Sequence, residues 1–400
     1  MHYIKIFIME EKYKIPSDWQ IKTINEVCNI YTGNSINKKK KEQNFIGLKE
    51  GLNYIGTKDI SFNNIIEYEN GVKIPFKDLK DFKIAKSNTS LLCIEGGSAG
   101  RKIGFTNQDV CFGNKLCCFE AIEDEPKFIY FYLQSNDFLR EFNSNIQGLI
   151  GGVNKENLRK IKIPIPPLDE QKRIASALSK IDAYLENTIK LIEEKERFKR
   201  GIAKKLLTCK EGENIPEARF KGFEDEWETI MLGDILSYEQ PKDYIVKSEE
   251  YNNKYKYPVL TAGKTFILGY TNEEFGIYNK LPVIIFDDFT TDAQYVDFPF
   301  KVKSSAIKIL KSKYYNTKLI YELIKNIKFN ARTHKRYYIS EYQYLKIKIP
   351  KSIKEQEKIG GYLSLLDEEI DNLKKQKELI KEMKRGAMQK LLSGEVRLLE

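Results

Sequence analysis

The chain has 400 residues, of which 41% are hydrophobic and 12% aromatic, which is enough for two or three folded domains and excludes a wholly disordered protein. Its 67 Lys and Arg residues outnumber its 57 Asp and Glu residues, and the resulting net charge of +10 suits a polyanionic partner. Two histidines, His2 and His334, and six cysteines without a C-x-x-C spacing exclude a clustered zinc site and indicate reduced thiols in a cytoplasmic protein.

The N-terminal stretch from Tyr3 to Met9 is apolar, but it is too short to cross a membrane or to form a secretion signal. Met9 is a second candidate start of the chain. We therefore expect no membrane partner. The first domain is expected in residues 1–165.

Two segments of the first domain carry residues suited to DNA. The segment 96–102 places glycine-rich backbone beside two cations, which favours close approach to a phosphate, although a tight turn between strands gives the same pattern. The segment 143–154 concentrates amides and is either a base-reading loop or a solvated connector. The candidate DNA contacts of the two segments are Gly97, Ser98, Arg101, Lys102, Asn145, Gln147 and Asn154.

A long repeat follows the first domain. Residues 168–207 align without a gap with residues 353–392, and 15 of the 40 aligned positions are identical. Just upstream of each copy stands Lys-Ile-Lys-Ile-Pro, at 160–164 and 346–350, whose alternation predicts a strand that has one buried face and ends at the proline. Near the start of each half stands a tryptophan, Trp19 or Trp227. The chain is therefore a duplication.

Each repeated segment has the apolar spacing of a coiled coil and predicts a helix of about 40 residues, roughly 60 Å long at 1.5 Å per residue. We expect these helices in residues 166–210 and 351–400, packed on each other, with local irregularity near Lys195 and Lys377. An ordinary buried helix in a globular core is the alternative. The predicted seam consists of Ile174, Leu178, Ile181 and Leu185 in one helix and of Ile359, Leu363, Leu366 and Ile370 in the other.

A second domain is expected in residues 211–350, and its sequence shows no convincing similarity to the first domain. Its segment 325–344 interleaves cations with aromatic residues, a pattern that favours DNA contact over a merely solvated basic face. The candidate DNA contacts of this domain are Lys264, Lys328, Arg332, His334, Lys335, Arg336 and Tyr337.

Catalytic motifs are absent from the sequence. Gly263-Lys264-Thr265 fails as a phosphate-binding loop because Pro258 stands where the first glycine is required. Asp287 and Asp288 follow a predicted buried strand, and they are either a metal pair or, more often in such a position, part of a polar loop. We therefore expect neither a catalytic site nor a bound metal or cofactor.

The residues around the repeat resemble a known family. Pro-Pro-Leu-Asp-Glu-Gln-Lys-Arg-Ile-Ala at 166–175, followed by a long helix ending in Lys-Leu-Leu-Thr at 205–208, closely resembles the conserved region of specificity subunits of Type I restriction–modification systems. Pro-Ser-Asp-Trp at 16–19, Thr-Lys-Asp-Ile at 57–60 and Leu-Leu-Ser-Gly at 391–394 carry the same resemblance. The second copy departs from the pattern, since it reads Pro-Lys-Ser-Ile at 350–353. The resemblance covers essentially the whole chain.

This resemblance implies an α/β (α+β) fold in which two target-recognition globules are joined by an antiparallel pair of long coiled-coil helices, with an internal pseudo-twofold repeat. It implies that each globule reads one half of a split target in double-stranded DNA, with Lys58 added to the candidate contacts, and that the helices set the spacer. The implied partners are two adenine methyltransferase (modification) subunits and ATP-dependent restriction/translocase subunits. Glu170, Gln171, Glu355 and Gln356 join the eight seam residues named above as candidates either for subunit docking or for the helix seam.

A different class of protein is the alternative: a coiled-coil scaffold whose globules bind proteins and not DNA. Salt distinguishes the two, because phosphate contacts make affinity fall steeply with ionic strength. A fused restriction enzyme acting alone would need a nuclease or methyltransferase motif, and the sequence contains none that we recognise.

Overall fold

The computed structural model describes residues 15–147, 151–261, 265–327, 329, 331 and 335–399. The chain divides into two compact units. Unit 1 comprises Met1–Thr188 and Gln376–Glu400, and unit 2 comprises Ile189–Lys375. Each long helix of the repeat therefore has residues in both units.

Unit 1 contains ten short strands and five short helices, followed by the first long helix. The strands are β1 (Gln20–Thr23), β2 (Cys28–Thr32), β3 (Leu52–Ile55), β4 (Lys73–Ile74), β5 (Ile84–Ala85), β6 (Ser90–Cys93), β7 (Ile103–Phe105), β8 (Val110–Phe112), β9 (Leu116–Ala121) and β10 (Lys162–Ile165). The helices are α1 (Ile24–Val27), α2 (Lys38–Asn44), α3 (Pro126–Tyr132), α4 (Asn136–Ser144), α5 (Lys155–Lys160) and α6 (Leu168–Leu207).

Two four-stranded sheets form the globule of unit 1, in the orders β2-β9-β6-β7 and β4-β3-β8-β5. Strand alternation gives the first sheet a core on each face. Leu92 and Cys117 lie in one hydrophobic cluster, whereas Leu91 and Cys118 lie in another. The central strands are therefore covered on both sides.

The cysteines of unit 1 are free thiols inside these cores. Burial raises the pKa of Cys111 to about 12 and that of Cys118 to about 11. Such thiols stay protonated near neutral pH and are poor nucleophiles, so they act as small apolar side chains.

Unit 2 has a similar architecture, with fewer short helices among its described residues. Its strands are β11 (Glu228–Met231), β12 (Leu236–Glu239), β13 (Tyr257–Leu260), β14 (Ile267–Thr271), β15 (Val283–Asp287), β16 (Ala293–Val296), β17 (Lys301–Val302), β18 (Ile307–Ser312) and β19 (Lys346–Ile349). The helices are α7 (Leu232–Ile235), α8 (Thr317–Lys325) and the second long helix, α9 (Ile353–Leu392).

The two globules share most of their strand topology although their sequences are dissimilar. The exception is the second sheet, which has four strands in unit 1 and, among the described residues, three in unit 2, in the order β14-β13-β17. In unit 2 the order β12-β18-β15-β16 corresponds to β2-β9-β6-β7 of unit 1, and all neighbours are antiparallel in both sheets. Strand β13 lies antiparallel to β14 and parallel to β17, as β3 lies antiparallel to β4 and parallel to β8. The duplication therefore includes the globules as well as the helices.

The repeated Lys-Ile-Lys-Ile-Pro segments contribute to the strands β10 and β19, which pair with β1 and β11 in two-stranded ladders. The second copy forms β19, whereas in the first copy Lys160 ends helix α5 and the strand begins only at Lys162. The prediction that proline ends the strand holds for Pro350 and is wrong for Pro164. Strand β10 runs through Pro164, which stands opposite Ile21, to Ile165. A two-stranded ladder tolerates this proline because each of its strands is an edge, where a missing N–H need not leave a gap in the sheet.

The long helices α6 and α9 are continuous over 40 residues each, so the predicted irregularity near Lys195 and Lys377 is wrong. Inside unit 1 they run antiparallel, with Lys384 Nζ 2.6 Å from Asp182 Oδ1. Inside unit 2 the same antiparallel contact recurs, since Lys195 Nζ lies 2.6 Å from Glu369 Oε1. Because the Lys195 ammonium has this partner, a charged residue near the seam needs no break in the helix.

The seam is covered by the globules as well as by the partner helix. Ile174 and Leu178 are fully buried in a cluster that contains Phe128 of α3 together with Met388 and Leu391 of α9. In unit 2, Ile359, Leu363 and Leu366 share a cluster with residues of α8 and with Leu206 of α6. Ile370 is also buried, whereas Ile181 and Leu185 are half-buried. Among the described helices, none is long and apolar enough to cross a membrane.

Candidate nucleic-acid interface

Three loops lie side by side on unit 1. The backbone N–H of Gly96 in the β6–β7 turn donates to the carbonyl of Gly151, and Glu95 forms a β-bridge with Gly152 in the loop before α5. The ammonium of Lys102, at the end of the same turn, donates to the carbonyl of Thr57, in the 3-10 turn that follows β3, at 3.0 Å. The structure therefore brings together candidate segments that lie far apart in the sequence.

Most of the cationic candidates of unit 1 are available on this surface. Lys58 and Arg101 are exposed, and Lys102 is half-buried. Gly97 is exposed, and a side chain added there would meet nothing within 4 Å, so the backbone is open to a ligand. Gly100 is different, because its φ of +71° and the Phe142 ring 3.0 Å from an added Cβ both require glycine for the fold. Ser98 lies between them, half-buried.

The amide candidates divide into two kinds. Asn154 caps α5, since its Oδ1 accepts from the N–H of Asn157 at 2.8 Å. Asn145 follows α4 and donates from Nδ2 to the carbonyl of Glu141 at 2.8 Å. Gln147 is exposed, and its backbone pairs with Gly152, which leaves the side chain on the surface. Of these three amides, Gln147 is the one best placed to meet a base.

In unit 2, the described residues show a contact between two of the corresponding loops. The β15–β16 turn contacts the segment after α8, because the N–H of Tyr337 donates to the carbonyl of Asp288 and the N–H of Tyr338 donates to Asp288 Oδ1 at 2.8 Å. The guanidinium of Arg336 lies 5.9 Å from the ring centroid of Phe289 in that turn. Lys264 follows β13, as Lys58 follows β3, but Lys264 lies outside the described residues.

The candidate residues in segment 325–344 differ in whether the structure describes them and in how exposed they are. Lys328, Arg332 and His334 lie outside the described residues. Lys335 and Arg336 are exposed, and the Lys335 ammonium pairs with Glu341, whose hydrogen bond raises the pKa of Lys335 above its ordinary value.

The assignment of Tyr337 as a DNA contact is corrected by the structure. Its side chain is 2% exposed, and its ring packs edge-on against Phe329, with centroids 5.2 Å apart. Aromatic residues in a basic segment do not reveal which of them face inward, and here Tyr337 belongs to the packing beneath the loop.

Asp287 is the last residue of β15 and Asp288 begins the turn that follows, and both carboxylates have partners inside the protein. Asp287 Oδ1 accepts from the N–H of Phe289 at 2.8 Å, and Asp288 Oδ2 lies 3.2 Å from the buried ammonium of Lys308. Across the described residues, no group of three or more His, Cys, Asp or Glu side chains could hold a metal ion.

Each repeated Glu–Gln pair is buried inside its own unit. Trp19 Nε1 donates to Glu170 Oε2 at 3.1 Å, and Arg397 donates to the same carboxylate at 2.7 and 2.8 Å. Burial by itself raises the pKa of Glu170, but the hydrogen bonds from Arg397, Trp19 and Leu398 outweigh it and lower that pKa below its ordinary value. Gln171 Nε2 donates to the carbonyl of Pro166, and its Oε1 accepts from the N–H of Glu125 that caps α3.

Unit 2 repeats the arrangement. Trp227 Nε1 donates to Glu355 Oε1 at 3.3 Å, and Arg219 donates to both oxygens of Glu355 at 2.7 and 2.8 Å. Gln356 Nε2 donates to the carbonyl of Pro350, and its Oε1 accepts from the N–H of Asn316, the residue that caps α8.

Of the two roles predicted for these four residues, subunit docking or the helix seam, their burial argues against docking. Glu170, Gln171, Glu355 and Gln356 are each 1% exposed. They join the first turn of a long helix to the tryptophan that precedes β1 or β11 and to the N-terminal cap of a helix of the globule. Their side chains are inaccessible to another subunit.

Comparison with known proteins agrees with this duplicated architecture. The family described as Type I restriction modification DNA specificity domain matches residues 16–194 and 224–382, one match for each half. The chain belongs to this family of specificity subunits.

Two relatives differ in how much of the chain they match. The EcoR124I/EcoR124II specificity subunit of Escherichia coli is 51% identical over 141 residues, which is 34% of this chain and 34% of that protein. The MjaVIII specificity subunit of Methanocaldococcus jannaschii is 25% identical over an alignment of 455 positions that covers 100% of this chain and 99% of that protein.

Solved specificity-subunit structures have the same fold. A Type I restriction–modification S subunit from M. genitalium has a TM-score of 0.67 at 20% identity, with 95% of this chain and 98% of that chain covered. A chain from a study of complex assembly and conformational transition in a type I system has a TM-score of 0.53 at 13% identity, with 96% and 100% covered.

One surface feature was missed by sequence reasoning. The turn 61–64 projects an exposed phenylalanine, Phe62, beside Arg101 and Lys102. A single phenylalanine between two isoleucines has no distinguishing pattern, and only the contact with the β6–β7 turn reveals it.

Proposed function

We propose that this specificity subunit reads a split target in double-stranded DNA, with the three-loop surface of each unit contacting one half. The observation that carries the proposal is that the β6–β7 turn of unit 1 and the β15–β16 turn of unit 2 occupy the same place in the same sheet order, and each contacts a later loop of its own unit, with different residues in each. Two surfaces of equal construction and unequal chemistry are what recognition of two unlike half-sites requires.

The charged residues of the loops are suited to the backbone of DNA. Lys58, Arg101 and Lys102 in unit 1 and Lys335 and Arg336 in unit 2 supply cations for phosphates. Gly97 and Ser98 offer open backbone beside them. Gln147 presents an amide that can pair with the edge of adenine in the major groove. Lys264, Lys328, Arg332 and His334 remain part of the proposal as candidate contacts of unit 2.

We further propose target-recognition domains in residues 1–165 and 211–350, and helical regions in 166–210 and 351–400 that set the spacer. The exposed faces of the helices would dock two adenine methyltransferase subunits, and the complex would recruit ATP-dependent restriction/translocase subunits. The chain itself would catalyse nothing and would need no cofactor. Its DNA target assigns it to the cytoplasm.

Methylation mapping tests the proposal directly. Methylated adenines would be mapped by long-read sequencing in cells that make this chain with its neighbouring methyltransferase subunit, and in cells that lack this chain. We expect a two-part motif that disappears without the chain. A methylome that does not depend on the chain, with both proteins present, would contradict the proposal and favour the protein-binding scaffold.

Salt-dependent binding tests the surface of unit 1. Lys58→Ala is expected to weaken binding to DNA and to reduce the salt dependence of log K by about one ion contact. Lys77→Ala is the matched control, because Lys77 is also exposed in a 3-10 turn but follows β4, at the opposite end of β3. Equal behaviour of the two variants would contradict the assignment of this surface.

A further inference from the structure

The turn that carries Phe62 is built to hold its tip in place. Ser61 Oγ accepts from the N–H groups of Asn63 and Ile65 at 3.2 and 3.1 Å, and the N–H of Ser61 donates to the carbonyl of Ile65 at 2.9 Å. Asn64 adopts a φ of +64°, which asparagine tolerates better than most residues. These bonds leave Phe62 and Asn63 at the exposed tip of a closed turn.

The base of the turn is anchored in the globule. Ile60 and Ile66 form a β-bridge and are both buried. Asn64 Nδ2 also donates to Gln134 Oε1 at 2.8 Å, after helix α3. The position of the tip is therefore determined by the core and not by the tip residues.

Phe62 lies within the three-loop surface. Its ring is 60% exposed, with Arg101 Cζ 5.1 Å and Lys102 Nζ 4.9 Å from the ring centroid. Lys102 is held in turn by its hydrogen bond to Thr57. Phe62 is therefore a solvent-exposed apolar ring that two cationic side chains contact.

A second exposed phenylalanine shows what is particular about this arrangement. Phe76 is 63% exposed, in the 3-10 turn after β4. Because Ile74 pairs with Leu52 at the start of β3, Phe76 lies at the end of β3 opposite to the one from which the chain continues to Phe62. Among the described side chains, no cation lies over the Phe76 ring, so exposure alone does not distinguish the two residues but position does.

We propose that Phe62 makes an apolar contact with a base of the half-site read by unit 1, while Arg101 and Lys102 hold the phosphates beside it. The inference rests on the proposed function and adds to it a residue that determines specificity. Base edges and steps accept apolar side chains, including phenylalanine, whereas phosphates do not. The hydrogen-bonded turn presents the ring at the surface in the DNA-free chain.

The test compares binding of the full chain, together with its methyltransferase subunit, to two duplexes over a range of salt concentrations. One duplex carries the mapped two-part motif, and the other carries the same bases scrambled. Phe62→Ala is expected to bind the motif about tenfold more weakly, with an unchanged salt slope and unchanged affinity for the scrambled duplex. Phe76→Ala should match the wild type on both duplexes. Lys102→Ala should weaken both duplexes and lower the slope by about one.

Three results would overturn the inference. Phe62→Ala could bind the motif as tightly as the wild type does, or it could lose the same affinity for both duplexes. It could also lower the thermal unfolding temperature of the chain, which would make Phe62 a structural residue. A wild-type chain without preference for the motif would overturn the proposed function itself, and with it this inference.

Discussion

The buried carboxylate of Glu170 offers a quantitative test of the internal role assigned to the repeated Glu–Gln pair. The change Glu170→Gln keeps the shape of the side chain and removes its charge. Removing one member of a buried ion pair typically costs about 3–5 kcal/mol. Here the cost is moderated, because Arg397 retains Asp18, at 3.0 and 2.7 Å, as a second partner. The amide also keeps one oxygen that can accept from Trp19. We therefore expect the free energy of unfolding to fall by about 2 kcal/mol.

The assay uses the two tryptophans of the chain, Trp19 in unit 1 and Trp227 in unit 2. In a Trp227→Phe background, tryptophan fluorescence during denaturation reports on the surroundings of Glu170 alone. Glu186→Gln makes the same chemical change at an exposed position of α6 and serves as the control. We expect a shift of the transition midpoint for Glu170→Gln and a negligible shift for Glu186→Gln.

The pH dependence has a definite sign. The pKa of Glu170 is lowered in the folded chain from its ordinary value of 4.5, so the folded state favours the ionised carboxylate. The stabilisation is therefore present above pH 4.5 and is lost as the pH falls through the lowered folded pKa. The difference in stability between wild type and Glu170→Gln should shrink over that acidic range. A difference below about 0.5 kcal/mol at pH 7, or one that grows on acidification, would refute the reasoning.

Three further changes test the packing, each read by tryptophan fluorescence in the background that retains the tryptophan of the same unit. Leu178→Ala is expected to destabilise unit 1 by about 3 kcal/mol, because it removes a fully buried side chain from a hydrophobic cluster and leaves a cavity. Lys199→Met should destabilise unit 2 by about 2 kcal/mol, because Glu322 and Asp367 each pair with the ammonium groups of Lys199 and Lys318 and would keep only that of Lys318. A double-mutant cycle with Asp367→Asn should show strong non-additivity. Tyr337→Ala should destabilise unit 2 by about 3 kcal/mol, whereas Tyr344→Ala, at an exposed position, should cost less than about 1 kcal/mol; equal costs would contradict the burial of Tyr337.

The long helices could be predicted because their signal is repeated many times along the chain. Ile174, Leu178, Ile359 and Leu363 recur at coiled-coil spacing, and all four are buried. The spacing could not show that the globules supply much of the cover, since an apolar stripe is the same whether a helix or a domain packs on it. The expected break near Lys195 was wrong for a related reason: the sequence shows a charge but not its partner on the other helix.

The topology of the globules could not be predicted. Strands β4, β5 and β17 have two residues each, which is too short for any alternation to be recognised. The two globules also keep few residues in common, because a core accepts many combinations of apolar side chains of similar volume. Their common strand order therefore became visible only when the pairings were known.

The cationic candidates of the interface stay predictions, and charge density is the signal that selected them. Arg101, Lys102 and Lys335 belong to segments whose cations stand close together in the sequence, and the structure leaves them accessible to different degrees. Phe62 was missed and Tyr337 was misassigned for one physical reason. The sequence gives no facing direction to an aromatic residue in an irregular loop, so burial separates the two only in the folded chain.

The repeated Glu–Gln pair shows how a duplication can be misinterpreted. Its recurrence at Glu170 and Glu355 left two roles open, subunit docking or the helix seam, and neither includes the cation that a buried carboxylate needs inside the chain. That cation is not part of the sequence repeat: Arg219 stands 136 residues before Glu355, whereas Arg397 stands 227 residues after Glu170. Each arginine follows the end of one long helix and binds the first turn of the other. A gapless alignment of the repeat cannot reveal these partners, because one arginine precedes its glutamate in the chain and the other follows its glutamate. The identity of the glutamates is therefore explained by the fold, and the exposed faces of the helices are the surface that we propose for docking.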